Sequence, residues 1–564
     1  MRDYIVKNMY TSSNGVTHVY LRQKVDGKEV FNANININLA HDGTILSYGD
    51  SFYRPVVDRR GRSAAARFPT RLPSAAVTMS SFLGHVGIQT ETPIIEKVSD
   101  FASGTLTLDN VPGAKKEAKA MLGWIQVETG DLEPVWDLQV ELKEDYYHAH
   151  VSPFSQQPLA VHNWVHRAVY HVMRFRMNDP DEGSRSIVIN PENPEGSPLG
   201  WHDTGKGNSN DTSGNNVIAT KVTAFDPRET DPSSRVYGGP DLNFDFEFND
   251  KKDPETYKDA AVTNLFYWNN MIHDLYYHYG FDEKAGNFQQ NNFGKGGEEG
   301  DAVIAHAQDP LTTNNAYFST PPDGEHGHMQ MFVFDVTNPH RDGDFDSGIM
   351  IHEYTHGLST RLTGGPANSD CLNDGEAGGM GEGWGDAVSL MIRTRTTYDR
   401  HTDLGIGGYV LGVPTIRKYM YSTNMTTNPD KFSYLGRDSY QEVHNAGQVW
   451  AVMLYEVYWN LIDKLGFYSD WLGRSGFPIT KYGNTLALQL VIDGMKLQPC
   501  DPSFIDARDA IIQAESILTK GEHACEIWKG FAKRGLGIHA SVNYSLGEDS
   551  HKDSFEIPPQ CVPE

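Results

Sequence analysis

The chain has 564 residues, with 48 Lys plus Arg against 74 Asp plus Glu, a net charge of −26. Such a length implies about three domains, and an acidic chain with no basic block argues against nucleic acid or an anionic membrane as partner. No apolar run reaches the about 18 residues a membrane span needs. The opening Met1 to Asn8 has no apolar core, so it is not a secretion signal. Residues 1 to about 165 read as β-rich. Asn34 to Leu39 alternates strictly between polar and apolar, the pattern of a half-buried strand. Asp26-Gly27 and Asp42-Gly43 lie between such runs and signal hairpins. Helices are expected over Thr70–Leu83 and Ala114–Leu122.

From about 168 to 345 the chain is rich in Gly, Asn, Asp and Pro, and the almost wholly polar stretch 203–216 reads as a surface loop. Ala260–Tyr279 is the exception, with Val262, Phe266, Ile272 and Tyr276 spaced for an amphipathic or largely buried helix. His273 and His278 on it read as packed or surface residues rather than ligands. His326 and His328 share one face if extended, but no carboxylate accompanies them in the sequence, which weakens a second metal site there. Asp342, Asp344 and Asp346 are candidate calcium ligands without a clear motif, since an oxygen cage depends on geometry. From 346 onward helices dominate: 444–464, ended by Gly466, then 486–495, 503–518 and 522–533.

The stretch His352-Glu353-Tyr354-Thr355-His356 spells H-E-x-x-H inside a segment that can run as a buried helix. One turn separates the histidines, so both face one way and can bind a single Zn²⁺, with Glu353 beside the open coordination position. Downstream, Glu376 to Asp386 reads as a glycine-rich approach to a second helix. Glu382 and Asp386 are four apart. Glu382 can complete a His₂Glu site while Asp386 accepts the free ring N–H of a ligand histidine. Glu376 is a competitor for the third ligand, and Glu382 is preferred for its companion Asp. Glu353 is then placed as general base for a zinc-activated water. The four cysteines permit three full pairings. Cys500 with Cys525 is favoured because they flank a helix-like stretch, leaving Cys371 with Cys561; four buried thiols in a cytosolic protein is the alternative. Sequons at Asn210, Asn424 and Asn543 are compatible with a secreted glycoprotein.

HEYTHGLSTRLTGG followed by EAGGMGEGWGD resembles the fungalysin family of secreted fungal metalloproteases, relatives of thermolysin. Asn314 to Phe318 resembles the edge strand on which thermolysin-like enzymes lay their substrate. Arg341 to Asp346 leads into the zinc motif as in fungalysins, and Val443 to Gly447 resembles the segment carrying a transition-state histidine. Ala168 to Pro180 resembles the start of mature fungalysins. The resemblance implies an α+β protein in three parts. Residues 1–167 would be an inhibitory, folding-assisting propeptide, 168–345 a β-rich N-terminal lobe of a two-lobed thermolysin-like zincin, and 346–564 its helical C-terminal lobe. It implies one Zn²⁺ on His352, His356 and Glu382, catalytic roles for Glu353 and His444, and substrate backbone held at Asn315 and Ala316. The expected protein is a secreted, monomeric endopeptidase zymogen acting on proteins and peptides, its secretion signal absent from the chain as it begins here. One departure is Gly385, where the family usually has Ser. An aminopeptidase would need a site for a free amino terminus, commonly G-x-M-E-N, which this chain lacks. A non-catalytic protein with a structural zinc would need a fourth protein ligand, and none is evident. A permanent N-terminal binding domain is the rival to a propeptide.

Overall fold

The structure, a computed structural model, describes residues 3–11, 15–54, 67–90, 92–100, 104–127, 129–142, 145–163, 168–223, 225–474 and 476–562. The chain divides into two compact units, Met1–His166 and Arg167–Glu564; Arg167 itself lies outside the described residues.

The first unit is a strand-rich body built on β1 (Tyr4–Thr11), β2 (Thr17–Val25), β3 (Lys28–Leu39), β4 (Ile45–Asp50), β5 (Ile95–Asp100), β6 (Thr105–Asp109), β7 (Ala118–Gln126), β8 (Leu132–Glu141), β9 (Tyr146–Val151) and β10 (Pro158–Asn163). Its sheet runs β1-β2-β3-β7-β8-β9-β10, with β4 on β3 and a β5-β6 hairpin on β7. Asp26 and Gly27 turn the β2–β3 hairpin with φ of 49° and 75°. Positive φ at both turn positions matches the twist of the strands it joins. One helix, α1 (Ala75–His85), presses Met79, Phe82 and Leu83 onto Leu138, Val140 and Ala149 of the sheet. It begins five residues later than expected at Thr70. Pro73 disfavours helical backbone before it, and the Ser74 hydroxyl caps the first turn by accepting from Val77 N–H.

The helix expected over Ala114–Leu122 is instead strand β7, paired antiparallel with β8 from Lys119↔Gln139 to Gln126↔Leu132. Ala and Lys favour helix in isolation, but Ala118 and Ala120 point into the core while Lys119 points out. Burial against neighbouring strands outweighs a propensity of a few tenths of a kcal/mol per residue.

The second unit opens with β11 (Val169–Val172), β12 (Ser186–Ile189), β13 (Val217–Thr220) and β14 (Asn243–Phe244), then α2 (Lys258–His278). Next come β15 (Val303–His306), β16 (Ala316–Ser319) and β17 (His328–Met331). Four strands form a sheet in the order β13-β15-β17-β16; the first three are parallel, and β16 closes it antiparallel, with no further strand on its outer edge among the described residues. Helix α2 is buried from Ala260 to Tyr276. His273 is packed inside, and His278 pairs with Glu195 at 2.7 Å.

Helices follow: α3 (Ser347–Leu362), α4 (Gly375–Arg393), the short α5 (Gly408–Leu411), α6 (Val443–Leu465), α7 (Gly483–Leu497), α8 (Phe504–Thr519) and α9 (Ala524–Lys533). The strand-rich and helical halves share one continuous hydrophobic core, from Ala168 and Tyr170 to Phe531 and Leu536. The glycine-rich stretch after Glu376 is no approach loop. It lies within α4, where Gly379 and Gly383 let α6 approach closely; a Cβ on Gly383 would stand 2.6 Å from the Gly447 carbonyl oxygen.

The disulfides are Cys371–Cys500 and Cys525–Cys561, not the expected Cys500–Cys525 and Cys371–Cys561. Cys500 and Cys525 flank opposite ends of α8, a 16-residue helix about 24 Å long at 1.5 Å per residue, far beyond the reach of a disulfide. Flanking a helix argues against pairing rather than for it. Instead the α3–α4 loop is tied to the end of α7, where Asp501 N–H donates to the Cys371 carbonyl. Asn210, Asn424 and Asn543 are all exposed. No helix among the described residues is long and apolar enough to cross a membrane.

Candidate metal centre and cleft

Helix α3 starts at Asp346, whose carboxylate accepts from Ile349 N–H, and it carries His352 and His356 one turn apart. Their Nε2 atoms converge to 3.2 Å. From the facing helix α4, Glu382 brings Oε2 to 3.1 Å from His352 Nε2 and Oε1 to 3.8 Å from His356 Nε2. Ligands at about 2.0–2.1 Å around a tetrahedral zinc are separated by about 3.3 Å. Two of these three edges lie within a few tenths of that, and the third closes with a small rotation of the carboxylate. The donor set of two imidazoles and one carboxylate fits Zn²⁺.

Asp386 lies one turn beyond Glu382 and takes His352 Nδ1 on its Oδ1 at 2.7 Å. That contact turns Nε2 toward His356 and Glu382. Asp386 is itself gripped by Arg417, with Nε on Oδ2 at 2.7 Å and Nη2 on Oδ1 at 2.9 Å, and by the Tyr421 hydroxyl. Sequence reasoning missed Arg417 and Tyr421. They lie in an irregular segment after α5 where no periodicity marks them, and only the need of a buried Asp for a counter-charge hinted at them. Gly385 fits the same arrangement: a Cβ there would stand 2.6 Å from His352 Nδ1.

Electrostatics follow from these contacts. Burial alone would lower the His352 pKa, but hydrogen bonds to Asp386 and Glu382 outweigh it and raise it to about 10. Burial takes His356 down to about 4. Burial pushes Glu382 and Asp386 upward, yet His356 and His352 hold the first, and Arg417 and His352 the second, well below the usual carboxylate range. Glu353 is buried on α3 and its carboxyl is raised by that burial to about 7.

Glu353 lines a cleft of about 640 Å³ together with His352, His356, Glu382 and Arg417. Asn315 and Ala316 lie on its opposite wall, where β16 offers an edge that no other described strand pairs. Asn315 Nδ2 donates to the Tyr317 hydroxyl, and its Oδ1 accepts from Ala316 N–H. His444, in the first turn of α6, enters the cleft with Nε2 at 3.3 Å from Glu382 Oε2, while Nδ1 lies 2.5 Å from Glu442. Glu376 is elsewhere. Its carboxylate takes the Phe504 N–H at the start of α8 and the Tyr544 hydroxyl, and contacts His551. Asp342 accepts from Asp344 N–H and Gln308, Asp344 accepts from Gln308 N–H, and Asp346 caps α3, so these three hold the turn before the helix. His326 Nδ1 contacts the Ala302 carbonyl oxygen at 2.6 Å.

Residues 169–540 match the fungalysin metallopeptidase family, and residues 2–52 match the fungalysin/thermolysin propeptide motif. Similar curated proteins include extracellular metalloproteinase 2 of Trichophyton tonsurans (39% identical) and of Arthroderma otae (40%), each alignment covering 99% of this chain and 86% of the relative. Extracellular metalloproteinase MEP of Leptosphaeria maculans is 39% identical over 98% of this chain and 86% of its own length. With that likeness over nearly its whole length, and with a His/Glu cluster of zinc-binding geometry in the matched region, the chain belongs to the fungalysin family of metallopeptidases.

Proposed function

We propose that the chain is a secreted zinc metalloendopeptidase made as a zymogen, which hydrolyses internal peptide bonds of extracellular proteins. Residues 1–167 are then the inhibitory propeptide, and 168–345 and 346–564 the β-rich and helical parts of the protease. Family membership and the extracellular naming of the relatives support this. The observation that carries it is that Glu353, His444 and the open edge of β16 face the cleft that holds the His352–His356–Glu382 triad.

A zinc ion held by that triad supplies Lewis acidity, which brings the pKa of water toward about 7 and polarises a carbonyl. The chain's own residues do the rest. The edge of β16 pairs with an extended substrate backbone as an added strand, and Asn315 and Ala316 fix its register. Glu353 accepts a proton from the attacking water as the new C–O bond forms. It returns that proton to the leaving nitrogen as the C–N bond breaks. Its buried setting gives it the proton affinity a base needs near neutral pH. His444, with Glu442 accepting from Nδ1, donates from Nε2 to the oxygen that becomes negative.

The test uses purified full-length chain and an N-terminally blocked protein such as blocked casein, with bound zinc and the chain's own N-terminus followed in parallel. Expected are internal cleavage and loss of the segment ending near residue 167. Glu353→Gln should keep its zinc and lose roughly 10²–10⁴-fold in rate. His444→Ala should lose roughly 10²–10³-fold. Release of single residues from free amino termini only, or full activity in Glu353→Gln, would overturn the reading.

A further inference from the structure

A second group of metal-type donors lies in the β-rich half of the second unit, away from the cleft. His306 is the last residue of β15, His328 the first of β17, and Glu229 sits on the loop after β13. One donor atom from each lies within 4.8 Å of the others, and none of the three lines the cleft. The parallel register pairs Ile304 with His328 and His306 with Gln330, so the two histidines are diagonal neighbours on one face of the sheet.

The hydrogen bonds fix which ring nitrogen of His306 is available. Its Nδ1 lies 2.8 Å from the Val222 carbonyl oxygen. A carbonyl only accepts, so Nδ1 carries the proton and Nε2 carries the lone pair. That Nε2 is fully buried, has no hydrogen-bond partner among the described residues, and faces Glu229 Oε2 at 3.6 Å. The lone pair of a buried ring nitrogen therefore faces a part-exposed carboxylate, whose Oε2 also accepts from Phe225 N–H at 3.3 Å. Such an arrangement is costly unless a cation shares the space. His328 adds a third group: its Nδ1 is also buried without a partner among the described residues, and its ring stacks on His306 at 6.2 Å with 9° between planes. The backbone carbonyl on Nδ1 of His306 is the kind of outer contact that orients a metal-bound imidazole. Burial lowers the pKa of both histidines, keeping them in the neutral, ligating form. The carboxylates of Asp226 and Asp309 add negative potential around His306.

We propose that Glu229, His306 and His328 form a second zinc-binding site, distinct from the His352–His356–Glu382 triad. Two imidazoles and a carboxylate suit a divalent transition ion, zinc above all. The ion would clip the 225–231 loop to the ends of β15 and β17. Ser319 of the edge strand β16 is in register with His328, so the same clip stiffens the sheet that presents the open edge.

The experiment is metal analysis of the full-length chain carrying Glu353→Gln, which leaves both sets of donors intact. The protein is equilibrated with Zn²⁺, freed of loose metal by gel filtration, and its zinc counted by mass spectrometry. About two zinc ions per chain are expected. Glu229→Gln and His328→Ala should each retain about one, as should His356→Ala at the other site, and Glu229→Gln with His356→Ala none. A competing chromogenic chelator should extract zinc from the parent in two phases, one of them missing in Glu229→Gln. Glu229→Gln alters a part-exposed side chain without changing its shape, and an unchanged circular dichroism spectrum guards against misfolding. A parent with a single zinc and one extraction phase, or a folded Glu229→Gln holding as much zinc as the parent, would overturn the proposal.

Discussion

Asp386 lies beside the His352–His356–Glu382 cluster without being one of its three candidate donors. It is fully buried and holds His352, Arg417 and Tyr421 at once. Breaking one arm of a buried ion pair typically costs about 3–5 kcal/mol, because the partner's charge is left uncompensated. Loss of an outer contact to a metal ligand weakens metal binding by about 10–100-fold. Arg417→Met should therefore lower stability by about 3 kcal/mol and weaken zinc binding by about 10–100-fold. Denaturant titration and chelator competition read the two effects separately. Arg417→Lys should recover only part of either, since an ammonium cannot reproduce the two-pronged contact with Asp386. Unchanged zinc affinity in Arg417→Met would mean that Asp386 orients His352 without help. The contrast between these residues explains what the sequence discloses. His352, His356, Glu382 and Asp386 are legible because helical spacing alone puts each pair on one face, and the helices then meet. Arg417 reaches the site from an irregular segment, where spacing carries no directional information.

Helices α4 and α6 owe their closeness to glycines. A Cβ on Gly379 would stand 2.6 Å from Ala446 Cβ, and one on Gly383 would stand 2.6 Å from the Gly447 carbonyl and 2.8 Å from Trp450 Cβ. Gly383→Ala gains about 1 kcal/mol of helix propensity. The clash is with backbone, which has no rotamer to yield, and overpacking costs about 1–3 kcal/mol. The net expectation is a lower melting temperature. Because Glu382 precedes Gly383 on α4, weaker zinc binding should accompany it. A variant with raised stability and unchanged zinc would show that α6 shifts freely away from α4. Long helices with apolar periodicity, such as α2 and α6, were readable from the chain. Strand β7 was not, since its Ala and Lys residues favour helix until β6 and β8 flank them. The glycines of α4 misled in the same way: alone they weaken a helix, and only the facing helix explains their presence.

At the scale of the whole molecule, the two units meet acid and denaturant with different devices. Both disulfides lie in the second unit, Cys371–Cys500 spanning 129 residues and Cys525–Cys561 spanning 36. On the chain-entropy account these are worth about 5 and about 4 kcal/mol. The first also anchors the loop between α3 and α4. Replacing Cys371 and Cys500 by Ser should thus lower the denaturation midpoint more than replacing Cys525 and Cys561, and only the first pair should speed zinc loss. The first unit has no disulfide and relies partly on Asp137, a buried carboxylate on β8 paired with His148, and with His150 at 3.2 Å, both on β9. Burial pushes its pKa up, but the His148 hydrogen bond and the nearby His150 imidazole outweigh that and bring it down to about 2. A folded-state pKa below the unfolded value means stability that is present above about pH 4 and is lost as pH falls toward 2. The difference from the ordinary 3.8 corresponds to about 2 kcal/mol. Asparagine at this position imitates the protonated carboxyl. In a Glu353→Gln background that keeps the chain whole, Asp137→Asn should exchange its β8 and β9 amides about 30-fold faster than the parent at pH 5. As pH is lowered from 4 to 2, the parent should approach the variant, because both then present an uncharged group to the histidines. A difference that persists undiminished to pH 2 would show that shape, not charge, sets the role of Asp137.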